Sequence, residues 1–241
     1  MISVVIAEDQ PMIRAAFAAL IGSQPDMEVL AVAGDAAAAV EAVRTHRPTV
    51  TIMDLRMPLG AGPHGTNLRG VDPRAADSRA AGVIATQQIT SAALSRVLVL
   101  TTFREEELVV TALEAGAAGF LLKDSEPAVL LQALRRVAAG EGFLDPAVTP
   151  MILRRVRQPR QARPRHPAPP PAAGLPVANL TSREAEVLGL VCEGLSNKDI
   201  ARRLFIAETT VKSHVKAILG KTGTRDRVGL VIWAARRGLV R

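Results

Sequence analysis

The first 140 or so residues alternate between two kinds of segment, and that alternation restricts the fold more than any other feature of the chain. Short apolar runs, SVVIA, EVLAVA, TVTIM, RVLVLT and AGFLL, are separated by stretches with helical spacing, roughly 10–22, 35–46, 82–94, 105–115 and 125–139. Five strands interleaved with five helices predict an α/β fold with a doubly wound, five-stranded parallel sheet. In such sheets ligands sit at the carboxyl ends of the strands, where the strand order reverses.

Those ends carry acids. The third run closes as TVTIMDLRMP, placing Asp54 at the end of a buried strand, and the first closes as AEDQP, bringing Glu8 and Asp9 to the same rim. Three clustered carboxylates repel one another unless positive charge lies between them. Hard oxygen donors suit Mg²⁺. The fourth strand ends at Thr101, a hydroxyl, and the fifth leads to Lys123, a mobile cation. An acid pocket, a nucleophilic carboxylate, a hydroxyl and a lysine together can accept a phosphoryl group, with Asp54 attacking. Taken singly, a strand-end Asp is an ordinary cap or solvated charge; the set is what points to chemistry.

These residues, with the Thr101–Lys123 separation and GFLLKD at 119–124, resemble the receiver domain of bacterial two-component response regulators. The resemblance implies Asp54 as the phosphorylation site. It implies Mg²⁺ held by Glu8, Asp9, Asp54 and the backbone carbonyl of Arg56. Thr101 and Lys123 would stabilise the phosphoryl group, and Phe120 would be the switch aromatic that swings inward when Thr101 moves. One departure is plain. After DLRMP the pattern expects a glycine within a few residues and then a helix, whereas here LGAGPHGTNLRGVDPRAADSRAAG intervenes, a surplus of about twenty residues that reads as a surface loop over 59–81.

Charge divides the chain. Residues 1–145 carry 12 Lys/Arg against 17 Asp/Glu, whereas 146–241 carry 18 against 6. An acidic half joined to a basic half predicts separate tasks, the basic half meeting a polyanion. Between them, 146–178 is dense in proline and arginine and reads as a semi-rigid linker. From Leu180 the pattern is helical. TSRE (181–184) and SNKD (196–199) are two capping boxes, Gly194 suits a helix end, and a last helix runs over about 226–238. A helix, a turn of about four residues and ETTVKSHVKAILGK make a helix-turn-helix candidate. On its second helix Val211, Val215, Ile218 and Leu219 share the core-facing arc, leaving Thr209, Lys212, Ser213 and Lys216 exposed.

The stretch LTSREAEVLGLVCEGLSNKDIARRLFIAETTVKSHVKAILGKTGTRDRVGLV resembles the LuxR-type DNA-binding domain, and receiver plus this domain resembles the NarL/FixJ group. The resemblance implies that Lys212, Ser213 and Lys216 contact bases or nearby backbone of double-stranded DNA and that Lys198, Thr209 and Thr210 contact phosphates. It implies a sensor histidine kinase as phosphodonor and a homodimer once phosphorylated. The expected organisation is a receiver over 1–145, a linker over 146–178 and a DNA-binding domain over 179–241.

No run approaches the ~20 apolar residues of a membrane span. The opening MISVVIAED lacks a basic signal region, so a cytoplasmic protein is expected. Cys192 is the only cysteine, which excludes an internal disulfide, and it sits on an apolar face. A chain with no tyrosine and one tryptophan argues against modules that stack single-stranded bases. Alternatives remain at this level: a regulator that binds DNA without phosphorylation, a small-substrate enzyme using Asp54 as phosphoryl carrier, and a protein-interaction adaptor. Against the enzyme, AEDQP is no glycine-rich phosphate loop and the basic half would go unexplained.

Overall fold

The computed structural model describes residues 1–60, 81–101, 106–149 and 180–239. Nearly all of the loop expected over 59–81, and the linker beyond residue 149, lie outside the described residues. The chain divides into two compact units, Met1–Val148 and Thr149–Arg241.

In the first unit the chain runs β1 (Ile2–Ala7), α1 (Pro11–Gly22), β2 (Met27–Ala33), α2 (Ala36–His46), β3 (Val50–Asp54), α3 (Ala81–Ser91), β4 (Arg96–Thr101), α4 (Glu106–Glu114), β5 (Gly119–Leu122), α5 (Pro127–Ala138) and β6 (Phe143–Leu144). The sheet is parallel in the order β2-β1-β3-β4-β5-β6. Strand order therefore reverses beside β1, and the crevice between the carboxyl ends of β1 and β3 is the ligand position for this topology. β3 is buried along its whole length, as expected of a strand covered on both faces. Alternate residues Ile6, Ile52, Leu98 and Leu121 pack with Ile21 of α1 and Leu134 of α5 in one core.

β6 is an addition to the five strands expected. Two residues are too few for any periodicity to show, and the strand exists because the chain after α5 lies along β5. Phe143 N donates to Ala118 O at 3.2 Å and Asp145 N to Phe120 O at 3.0 Å.

Two local devices shape the rim. Asp35 caps α2, accepting from Ala38 N at 2.8 Å, while the amides of Ala36 and Ala37 donate to Pro58 O and Leu59 O at 3.0 Å each. The chain leaving β3 thus satisfies the orphan donors that open α2. At the start of α3, Gly82 lies against the end of β3: a Cβ there would stand 2.0 Å from the Asp54 carbonyl oxygen.

The second unit is helical, with α6 (Ser182–Cys192), α7 (Asn197–Leu204), α8 (Glu208–Thr222) and α9 (Arg227–Arg236). Thr181 and Glu184 form the reciprocal capping box expected, at 3.3 and 2.8 Å. The second box forms by half. Ser196 Oγ accepts from Asp199 N at 3.1 Å, but the aspartate is one methylene shorter than glutamate, and its carboxylate takes the Ser196 hydroxyl at 2.5 Å.

Glu184 also ties two helices. Lys221 Nζ donates to its two oxygens at 2.9 and 2.7 Å. The Lys221 bond first, and the Thr181 amide next, hold its carboxyl below the ordinary glutamate range. A carboxyl lowered in the folded state contributes stability above its unfolded value of about 4.3 and loses it as pH falls through the folded value. Thermal melts of the C-terminal unit between about pH 6 and pH 3 are expected to show a shallower acid limb in Glu184→Gln than in wild type; equal slopes would remove this carboxylate from the acid sensitivity.

Candidate functional site

Three strand ends converge on one cluster. Glu8 and Asp9 follow β1, Asp54 ends β3, and Lys123 follows β5. Glu8, Asp9 and Asp54 each offer an oxygen within 4.8 Å of the others. Lys123 Nζ lies 2.8 Å from Asp54 Oδ2 and 2.9 Å from Glu8 Oε2, with Glu8 Oε1 at 3.2 Å. The other Asp54 oxygen, Oδ1, accepts from the backbone amide of Arg56 at 3.1 Å, and the Arg56 side chain is exposed. Thr101 is buried at the end of β4, and its carbonyl accepts the Lys123 amide at 2.9 Å, which fixes the two residues side by side. Phe120 is fully buried on β5.

The electrostatics call for another cation. Burial, and after it the hydrogen bond from Lys123 pulling the other way, act on Glu8; with the Asp54 charge added, its carboxyl ends above the ordinary range. Burial opposes the charge on Lys123, yet the hydrogen bonds and charges of Asp54 and Glu8 more than offset it and raise the ammonium pKa. One ammonium faces three carboxylates, and Asp9 Oδ1 is buried without a hydrogen-bond partner. Three carboxylate oxygens gathered this closely are the hard donors that Mg²⁺ takes. The donor set fits that ion.

In the second unit Lys198 stands on α7 and Thr209, Thr210, Lys212, Ser213 and Lys216 on α8, all exposed. Val211 and Ile218 are buried, with Val215 and Leu219 half-buried, so the predicted arc faces inward. Exposed Lys212 pairs with Glu208 at 3.4 Å, and Ser213 Oγ donates to Thr209 O at 3.0 Å. Cys192 is buried, and burial pushes its thiol up to about 12, as befits a core side chain.

Known families match both halves. The model for "Response regulator receiver domain" matches residues 4–69, and that for "Bacterial regulatory proteins, luxR family" matches 178–234. The chain is 36% identical over 232 residues to the nitrate/nitrite response regulator protein NarL of Escherichia coli (strain K12), covering 96% of this chain and 94% of that protein. It belongs to the NarL/FixJ-type response regulators.

This regulator is also 35% identical over 240 residues to the transcriptional regulatory protein LnrK of Bacillus subtilis (strain 168), across 99% of each chain. Among solved structures it is similar to a LuxR-family two-component response regulator from Aurantimonas sp. SI85-9A1, with TM-score 0.52 and 28% identity over 64% of this chain and 97% of that one. It is therefore a two-component response regulator with a LuxR-type DNA-binding domain, and its sphere is transcription. No helix among its described residues is long and apolar enough to cross a membrane.

The structure adds residues to the regulator's site that its sequence pattern left out. Gly82 closes the long intervening stretch and meets the Asp54 backbone. Arg227 is buried and donates to Asn197 Oδ1 at 3.4 Å, to Val191 O at 3.3 Å and to Leu195 O. Nothing in TRDRVG distinguishes that arginine from exposed Arg225.

Proposed function

We propose that Asp54 accepts a phosphoryl group from a sensor histidine kinase and that its state governs how residues 179–241 bind promoter DNA. The observation that carries this reading is the convergence of Glu8, Asp9, Asp54 and Lys123 at the strand rim. An Asp54 carboxylate oxygen forms the new bond to phosphorus while the bond from phosphorus to the donor breaks, and the donor leaves with that electron pair. Glu8, Asp9, Asp54 and the Arg56 carbonyl hold Mg²⁺, which when bound supplies positive charge against the repulsion of clustered oxygens. Lys123 exchanges its contact with Asp54 for one with a phosphoryl oxygen, and Thr101 donates its hydroxyl to another.

Added charge at the rim draws Thr101 and Lys123 together and biases the packing of Phe120, changing the outer face of α4 and α5. In the DNA-binding unit Lys212, Ser213 and Lys216 reach base edges or nearby backbone, and Lys198, Thr209 and Thr210 reach phosphates. One unit makes few phosphate contacts, so a phosphorylated homodimer on paired half-sites gains affinity steeply. This organisation sets a receiver over 1–145 before a linker over 146–178, in a cytoplasmic protein.

Incubation with acetyl phosphate and Mg²⁺ is expected to label the wild type and leave Asp54→Asn unlabelled, read by intact mass. Equal labelling of the two would overturn the assignment.

A further inference from the structure

We infer that Arg14 is the positioning residue of the acid pair, holding the backbone turn that aims Glu8 and Asp9 at Asp54. This rests on the reading that the acid cluster takes up Mg²⁺. Arg14 lies in the first turn of α1, half-buried. Its Nη1 donates to Glu8 O at 2.6 Å and to Asp9 O at 3.4 Å, and its own amide donates to Gln10 O at 3.0 Å. One residue thus takes three consecutive carbonyls of the turn that carries both acids. On the sheet side the Glu8 amide is held by Ala33 O at 3.0 Å. With the amide of Glu8 and the carbonyls of residues 8 to 10 all engaged, the backbone from which both acids project is held in place, and Lys123 then engages the Glu8 oxygens from the other side.

Two features separate this from an ordinary surface arginine. Both side-chain hydrogen bonds of Arg14 end on backbone carbonyls and leave the carboxylates alone, so buried Asp9 Oδ1 stays open for a cation. The slot for the guanidinium is also built from the neighbouring strand: a Cβ on Gly34, just past β2, would come within 3.0 Å of Arg14 Nη1 and 3.7 Å of Cζ. A side chain at Gly34 requires the guanidinium to give by a few tenths of an ångström, enough to disturb its grip on two carbonyls. The rigid plane of arginine spans two carbonyls in a way that the compact, strongly hydrated ammonium of lysine does not.

Groups that orient metal ligands from behind typically contribute 10- to 100-fold in metal affinity. Isothermal titration of the full chain with MgCl₂ is expected to give a Kd about 10-fold weaker or more for Arg14→Met, a smaller loss for Arg14→Lys, and a loss in the same direction for Gly34→Ala. Labelling of Asp54 by acetyl phosphate falls in parallel at limiting Mg²⁺ and recovers at saturating Mg²⁺, because the acceptor itself is untouched. A general folding defect would not be rescued in this way.

Wild-type Mg²⁺ affinity in a folded Arg14→Met would overturn the inference and leave the proposed function standing. So would a labelling deficit that persists at saturating Mg²⁺. If Arg14→Met fails to fold, Gly34→Ala decides by the same measure. Absence of Mg²⁺ uptake by the wild type would remove the proposed metal site, and this inference with it.

Discussion

Gly82→Ala destabilises the N-terminal unit toward the upper end of the roughly 1–3 kcal/mol typical of overpacking, and it slows labelling of Asp54. The new Cβ would stand 2.0 Å from the Asp54 carbonyl oxygen, 2.7 Å from Leu55 Cα and 2.9 Å from the Asp54 carbonyl carbon. All three are backbone atoms, which cannot rotate away as a side chain would. Either α3 retreats, giving up the bond from Gly82 N to Leu55 O at 3.2 Å, or the end of β3 shifts. The second route moves the residue whose carboxylate must stay within reach of Lys123 and the acid pair. Urea unfolding of the N-terminal unit reads the first effect and the initial rate with acetyl phosphate the second. A variant that unfolds and labels like wild type would show that α3 is free to move outward.

Arg227→Ala leaves the C-terminal unit largely unfolded at room temperature and abolishes DNA binding. The buried guanidinium joins the end of α6, through Val191 O, and the turn after it, through Leu195 O, to the first residue of α7, through Asn197 Oδ1, from the start of α9. Removing it strips buried acceptors of their donor at about 1–3 kcal/mol each and leaves a void besides. A small helical unit has only about 5–10 kcal/mol in total, so the loss is comparable with the whole. Trp233, the only tryptophan in the chain, sits on α9 with Arg237 4.5 Å above its ring, and its emission reports on this unit alone. The variant's emission is expected to resemble that of the wild type in denaturant, with Arg227→Lys intermediate. An unchanged unfolding midpoint would mean that water satisfies those carbonyls.

How much was legible in advance varies with the range of the interaction. The strands from β1 to β5 and the helices around them fall within a few residues of where the apolar spacing places them, since one buried face imposes its period on the chain. The Thr181–Glu184 box was legible because both bonds close within four residues. The SNKD box was legible only by half, because the reach of an aspartate decides the second bond. Glu8, Asp9, Asp54 and Lys123 could be grouped because parallel strands deliver their carboxyl ends to one rim.

What the amino-acid order determined without help is the sheet-and-helix alternation, the acids at the strand ends and the basic helical half, since period, capping and charge act over a few residues. What only the tertiary structure decided is which polar groups become irreplaceable. Arg14 over the acid turn, Gly82 against Asp54, β6 beside β5 and Arg227 beneath three helices each depend on segments distant in the chain meeting at contact distance. Such meetings leave no periodic trace, because a single close approach or buried hydrogen bond is specified by packing and not by the residues on either side.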